Sequence, residues 1–312
     1  MFICLSLHDF EGSGNFGAPI TAALIEAGFE LTIISRVESA ATFPRGISVI
    51  KVAYTPDNLV KALLGQDAAV CVVGPAGVHH QTAMIDAAEA AGVKRFIVDD
   101  FGWGPNVRGL PEFHDVHTMR KAQWDHAKAR ADANPGFTWT GISTGNPIDW
   151  AHSPILTSKQ AIQKFALMGF NINDYSATIY DNGEEDFTGT TLKGIAQSVV
   201  GVLTHPEDTR NRFVKVLSIK TCQNKLLQAF QHVTGKQWVV QKSTTKELMA
   251  SGRRKLADGS GGWVLDLVVA QLYDEGEARC VVAPRRSESD ADLLGVAAET
   301  EEQVVIKALG LA

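Results

Sequence analysis

The chain has 312 residues, enough for one large domain or two modest ones, and its 45% hydrophobic and 21% charged residues are the balance of a globular protein rather than a disordered one. A net charge of −6, with no Lys/Arg run longer than two or three residues, argues against a nucleic-acid surface. No apolar stretch approaches the ~20 residues of a membrane span, His8, Asp9 and Glu11 end the FICLSL run too early for a secretory leader, and four scattered cysteines without a C-x-x-C point away from zinc and disulfides and towards a reducing, cytoplasmic setting.

Phe2 to Leu7 reads as a strand, Ala18 to Ala27 as a helix closed by Gly28, and Glu30 to Ser35 as a second strand followed by Arg36. Strands are expected at Ile47–Val52, Ala68–Val73, Arg95–Val98 and Thr138–Ser143. Helices are expected at Pro56–Leu64, Thr82–Ala91 and His117–Ala133. Glycine just past most of these helices supplies a left-handed cap. Apolar strands alternating with helices predict a parallel sheet covered on both faces, and right-handed crossovers make it doubly wound. Beyond Trp150 the pattern loosens. A helix is expected at Thr190–Thr204 with Thr191 or a neighbour as N-cap, then a strand at Arg212–Leu217, a helix at Thr221–Thr234 and a strand at Trp238–Lys242. A helix starts at Thr245 and gives way to a mobile loop over 251–262. Further helices follow at Trp263–Asp274 and at Glu301–Leu309, the last with Thr300 as N-cap. The expected architecture is α/β: a doubly wound parallel Rossmann sheet over 1–150, with a smaller C-terminal α/β substrate-binding region over 151–312.

After the first strand stands Gly12-Ser13-Gly14-Asn15-Phe16-Gly17, a G-x-G-x-x-G that follows a strand and opens a helix. Its glycines let the backbone approach a pyrophosphate, which then sits on the positive end of the helix. At the end of the second strand, where an acid would bind the ribose hydroxyls of NAD, stands Arg36, which suits the 2′-phosphate of NADP. The expected cofactor is NADP(H).

These residues resemble the NmrA-like family, in particular its fungal isoflavone-reductase-like branch, among the atypical short-chain dehydrogenases. Gly14-Asn15-Phe16-Gly17 resembles the family's G-x-x-G-N-x-G signature. Ala91-Gly92-Val93-Lys94-Arg95-Phe96-Ile97, Asp100-Phe101-Gly102, Asn134 to Thr140, Thr144 to Trp150, Leu203 to Glu207 and Asn211-Arg212 resemble further family segments, so the likeness spans nearly the whole chain. It implies that Gly12, Gly14, Asn15, Phe16 and Gly17 meet the pyrophosphate and Arg36 the 2′-phosphate. Gly74, Pro75, Ala76 and Gln81 would line the cofactor groove, and Phe101 with Asn146, Pro147 and Ile148 would sit by the nicotinamide and substrate.

Two departures stand out. Glu11 occupies the family's first glycine position; at ~4 Å and an effective dielectric of 20 it would repel a pyrophosphate charge by about 4 kcal/mol, so it must point away. The family's general acid/base lysine at the start of the helix after the E-F-G segment reads here as Val116, which transfers no proton. His114, His117 and Lys121 stand nearby, the last two on one helical face, and are the candidate catalytic residues beside a surface reading of all three. Asp99 and Asp100 form a carboxylate pair suited to strand-end hydrogen bonding as much as to catalysis. His79 and His80 fit a helix start near the cleft. Phe165, Phe170 and Tyr175 fit a pocket wall or a core. No metal site is expected.

The leading functional expectation is an NADPH-dependent oxidoreductase acting on a partly aromatic small molecule of specialised metabolism. Imine reduction would survive the missing lysine. The alternatives are a tailoring enzyme for cyclisation or rearrangement that keeps NADP(H) as redox trigger or structural ligand, and a non-enzymatic NADP-sensing regulator. The expected partner is a small-molecule substrate, with no nucleic acid or membrane, and the chain acts as a monomer or homodimer.

Overall fold

The computed structural model describes residues 2–7 (as backbone), 16–39, 41–73, 75–106, 108–149 and 168–311. Its central sheet has seven strands: β1 (Phe2–Leu7), β2 (Glu30–Ser35), β3 (Ser48–Lys51), β4 (Ala68–Val72), β5 (Arg95–Ile97), β6 (Thr138–Ser143) and β11 (Arg212–Lys215). They lie in the order β11-β6-β5-β4-β1-β2-β3, and every neighbouring pair is parallel. This is the expected doubly wound sheet, and the strand order reverses between β1 and β4. At such a switch point the connections leave to opposite faces, and a crevice opens outside the carboxyl ends of the strands.

The two-residue period of β4 explains the layering. Ala68, Val70 and Val72 join one core, with Ile20 and Leu24 of α1 (Gly17–Glu26) and Ile195 and Val199 of α5 (Leu192–Thr204). Ala69, Cys71 and Val73 face the other, against α2 (Pro56–Leu63), α3 (Gln81–Ala90) and α4 (His114–Ala133). Gly28, Gly65 and Gly92, at φ of +81°, +78° and +81°, turn the chain out of the first three helices as expected.

The boundary near residue 150 does not divide the sheet. Strand β11 comes from the C-terminal half and pairs with β6, and α5 covers one face of the same sheet. Buried Arg95 of β5 reaches across this seam: its guanidinium donates to Thr140 Oγ1 at 2.6 Å, to Thr209 Oγ1 at 3.4 Å and to the Pro206 carbonyl.

A third core gathers Phe170, Phe187, Phe230, Trp238, Leu272 and Tyr273. Two small sheets frame it, β12-β10-β7 and β13-β9-β8. Their strands are β7 (Asn146–Pro147), β8 (Phe170–Asn171), β9 (Ser176–Tyr180), β10 (Phe187–Thr190), β12 (Ile219–Thr221) and β13 (Val239–Ser243). The remaining helices are α6 (Pro206–Thr209), α7 (Gln223–Thr234), α8 (Thr245–Ala257), α9 (Trp263–Tyr273) and α10 (Glu301–Ala308). Thr191 and Thr300 are the N-caps expected of them; Thr300 and Gln303 form a reciprocal capping box.

Several expectations change. The stretch expected as a loop from Ser251 is helical through Ala257, because Gly252 lets α8 approach Leu267 of α9: a Cβ there would lie 2.8 Å from the Leu267 side chain. The expected start of α5 at Thr190 is instead the end of strand β10. Phe170 is core, packed on Phe230 at 5.1 Å between ring centres, and Tyr175 packs edge-on to Trp238 at 6.0 Å. Phe165 lies outside the described residues.

Among the described residues Cys71, Cys222 and Cys280 are buried cysteines, and no group of three or more His, Cys, Asp or Glu is placed to hold a metal ion. No described helix is long and apolar enough to cross a membrane.

Candidate functional site

The crevice at the carboxyl ends of β1, β2, β4, β5 and β6 collects most of the candidate residues. Gly12, Gly14 and Asn15 of the glycine loop, and Gly74 after β4, lie outside the described residues. Phe16 is the N-cap of α1 and makes no side-chain cap, and Gly17 begins the helix. Arg36 directly follows β2. Pro75 and Ala76 begin the 3₁₀ turn Pro75–His80 that leads into α3.

His79 and His80 lie in the same turn, with rings 3.9 Å apart, and His80 meets Tyr54 edge-on at 5.4 Å. Burial, then His79 and Arg36, lower the His80 pKa, which places His80 close to Arg36 in the field of two neighbouring basic groups.

Gln81 is the first residue of α3 and is fully buried. Its Oε1 accepts the Asp99 N–H at 2.6 Å, and Asp99 Oδ1 accepts the Val73 N–H at 3.3 Å, so the ends of β4 and β5 are locked side by side. Gln81 Nε2 and Asp99 Oδ2 are buried and have no hydrogen-bond partner among the described residues. Burial pushes the Asp99 carboxyl up to about 7 against the Arg120 charge and the Val73 hydrogen bond, with Asp100 pushing the same way. Burial raises Asp100 to about 6, while Arg120, whose Nη1 lies 3.3 Å from Asp100 Oδ1, works against the rise. The carboxylate pair thus serves the strand ends.

Phe101 is buried in a left-handed conformation, φ +45°, and its ring lies 5.9 Å from that of Phe16. A non-glycine residue is held there only when its surroundings over-determine it. The following carbonyl, Gly102, accepts the N–H groups of Thr144 and Gly145 at 2.8 and 2.9 Å, which ties the loop after β5 to the turn after β6. Gly145 itself, at φ +65°, would place a Cβ 2.7 Å from the Thr188 carbonyl oxygen. Beyond it lie Asn146 and Pro147 in β7 and buried Ile148. Asp149 Oδ1 accepts the Leu192 N–H at 2.7 Å, so it holds the first residue of α5 rather than a strand end.

The three candidate proton donors stand on the first turns of α4 and separate clearly. Lys121 is 57% exposed in its side chain and pairs with Asp125 at 2.5 Å on the helix surface. His114 is exposed, 3.5 Å from Thr118 Oγ1. His117 turns inward: its ring meets Trp124 edge-on at 5.7 Å, and Trp124 meets Phe213 of β11 at 4.9 Å. Burial and the nearby His114, Arg120 and Lys121 lower the His117 pKa. Val116, in the place of the family lysine, is 44% exposed.

Beside the crevice, at the carboxyl ends of β6 and β11, opens a cleft of about 220 Å³ lined by residues that sequence reasoning missed, among them Trp103, Ser143, Phe213 and Lys215. Its walls come from four separated segments, the last around Ala278 to Pro284, and no local motif announces them.

A dinucleotide phosphate fits the residues present. A guanidinium follows β2 where an acid would repel a 2′-phosphate, and the neighbouring 3₁₀ turn brings two imidazoles rather than carboxylates. Comparison with known proteins agrees with that geometry. The model of a family described as NAD(P)H-binding matches residues 12–166. The chain is 60% identical over 307 residues to oxidoreductase poxI of Penicillium oxalicum, covering 98% of this chain and 95% of that protein. It is 32% identical over 254 residues to oxidoreductase aprR of Aspergillus flavus, covering 77% and 80%. Among solved structures, leucoanthocyanidin reductase from Vitis vinifera superposes with a TM-score of 0.74 at 14% identity, covering 99% of this chain and all of that one. Citrobacter sp. triphenylmethane reductase, complexed with NADP(H), superposes at 0.68 and 18% identity, covering 98% and 99%. At those identities the likeness to solved structures is one of fold.

Proposed function

The chain belongs to the NAD(P)H-binding oxidoreductase family, and from that premise we propose that it is an NADPH-dependent reductase of a partly aromatic small molecule of specialised metabolism. The reading is supported by the positions of Arg36 after β2, Gln81 at the start of α3, and Phe101 after β5 with its loop tied to the Thr144–Gly145 turn, together with an aromatic-lined cleft at the ends of β6 and β11. The names of the two oxidoreductase relatives support the reaction class.

When bound, NADPH supplies a hydride. The chain's own residues do the rest. The glycine loop with Gly12, Gly14 and Asn15, and the α1 terminus at Phe16 and Gly17, hold the pyrophosphate, and Arg36 holds the 2′-phosphate. Gly74, Pro75 and Ala76 line the groove, while Gln81 and Asp99 keep the floor rigid. Phe101 and the Asn146-Pro147-Ile148 turn wall the reacting end.

His117 is the proton donor this arrangement favours, because it is the candidate whose ring joins the aromatic set reaching the cleft wall. Lys121 and His114 face outward and take no part. A substrate that needs little proton delivery, such as an imine, suits a site with Val116 in place of the lysine.

The test is a titration of the purified protein with NADPH, NADP+, NADH and NAD+ by thermal stabilisation, followed by NADPH oxidation at 340 nm over a panel of aromatic imines, enones and quinones. Binding of the phosphorylated pair, followed by substrate-dependent oxidation, is expected. Binding without oxidation of NADPH by any member of the panel would favour a cyclising or sensing role.

A further inference from the structure

We propose that the cleft at the carboxyl ends of β6 and β11 binds an anionic ligand: a flat apolar body bearing a carboxylate, with Phe213 and Trp103 against the body and Lys215 and Arg108 on the charge. This rests on the reductase reading and names the substrate class for it.

Trp103, Ser143, Phe213, Lys215, Arg108 and Arg279 line the cleft, and no Asp or Glu does. Arg279 is neutralised from behind, by Asp274 at 2.6 Å and Glu277 at 3.5 Å, and its Nη1 donates to the Arg108 carbonyl at 2.9 Å. Lys215 and Arg108 have no carboxylate partner among the described residues. The nearest candidate for Lys215 is taken: Asp290 accepts the Lys215 backbone N–H at 2.8 Å, and its two oxygens meet the Arg212 guanidinium at 2.8 and 3.2 Å. Two positive charges therefore face a cleft with no compensating negative one.

The Trp103 indole N–H is buried and has no hydrogen-bond partner among the described residues. Burying such a donor costs free energy unless something accepts from it. Buried Ser143 also lines the cleft, its hydroxyl filling the space over Gly104. Indole N–H, hydroxyl, ammonium and guanidinium are all donors. A neutral ketone or imine satisfies one of them and leaves both charges unmet; a carboxylate has two oxygens and the complementary charge.

The apolar wall is rigid. Phe213 is clamped edge-on by Trp124 at 4.9 Å and by Trp139 at 5.5 Å, so a planar body stacked against it meets a fixed surface. The cleft, about 220 Å³, has room for a one- or two-ring acid. The loop that carries Trp103 and Arg108 is the one pinned to the Thr144–Gly145 turn through Gly102.

The test compares 2-naphthoate with 2-naphthamide, isosteres that differ in charge, by calorimetry on the wild-type protein with and without saturating NADP+. Naphthoate is expected to bind about tenfold more tightly than the amide, as one charge-assisted contact implies. Lys215→Met, and separately the exposed Arg108→Met, should bring naphthoate down towards the amide, with NADP+ affinity unchanged. Trp103→Phe should weaken naphthoate and leave the amide less affected. Equal binding of acid and amide, naphthoate affinity indifferent to both cationic variants, or no binding of either probe would each overturn the proposal. If NADP+ itself fails to bind, the reductase reading falls, while the comparison made without cofactor still decides the charge preference of the cleft.

Discussion

Gln81 Oε1 accepts the backbone N–H of Asp99 at 2.6 Å, joining the first residue of α3 to the end of β5 at the floor of the crevice. Neither side chain is on the surface, so the bond is made in a low-dielectric interior where an unpaired N–H is costly. Gln81→Met removes the acceptor at similar volume. It is expected to lower unfolding free energy by ~1–3 kcal/mol, read by urea denaturation, and to loosen dinucleotide binding in the same preparation. An unchanged midpoint would show that water replaces the amide.

Asp99 gives the stability a pH dependence. Burial holds its carboxyl at about 7 in the folded protein, against an ordinary 3.8. The folded state thus binds more protons than the unfolded chain between about pH 4 and pH 7. Stability contributed by this group is complete below that window and is lost as pH rises through it. Asp100 and Asp149, each raised to about 6 mainly by burial, add in the same direction. Unfolding free energy measured from pH 5 to pH 8 should fall, and Asp99→Asn, which keeps an oxygen for the Val73 N–H, should flatten the upper part of that slope. A slope unaltered by the substitution would assign the effect to other groups.

Arg36→Ala separates the two dinucleotides. A charge-assisted contact contributes roughly 1.5–3 kcal/mol, so NADP+ affinity should drop about ten- to hundredfold while NAD+ affinity holds. Equal losses for both, measured by calorimetry, would mean that the guanidinium supports the fold of the crevice rather than reading the 2′-phosphate.

Once a substrate is in hand, His117→Ala and Lys121→Ala form a discriminating pair. His117→Ala should reduce kcat more than tenfold and remove one limb of the pH–rate profile, since general acid help is worth about 10²–10⁴. Lys121→Ala should leave both kcat and KM near wild type, because its partner is Asp125 on the solvent side of α4. The reverse result would place the reacting centre on the outer face of that helix.

Most of the sheet and the crevice was legible in the sequence, for a physical reason. Strands buried on both faces are apolar throughout, the helices between them end on Gly28, Gly65 and Gly92, and the residues just past each strand are then the crevice by construction. Arg36 is legible that way, while Gln81 and Phe101 are legible through the resemblance to the family.

The second half resisted because its signals are short or ambiguous. Strands β7 and β8 are two residues each, below any periodicity. Strand β10, Phe187–Thr190, is buried at every position and runs straight into the cap of α5, so its end read as helix. Gly252 looked like a loop residue and is instead a close helix contact. The cleft could not be read at all, because Ser143, Phe213 and Ala278 become neighbours only through the pairing of β11 with β6 and the path of the later loop.

That pairing also decides when the molecule can be completed during synthesis. A nascent chain that has delivered β1 to β6 presents β6 as a bare hydrogen-bonding edge, with Ile142 and Trp139 on its faces, until residues 212–215 emerge to cover it. The glycine loop and Arg36 would be assembled well before then, so a dinucleotide could meet the growing polypeptide while its aggregation-prone edge is still open. Shortened versions cut near residue 150 should accordingly self-associate through that edge, and the useful unit for expression or grafting extends through β11.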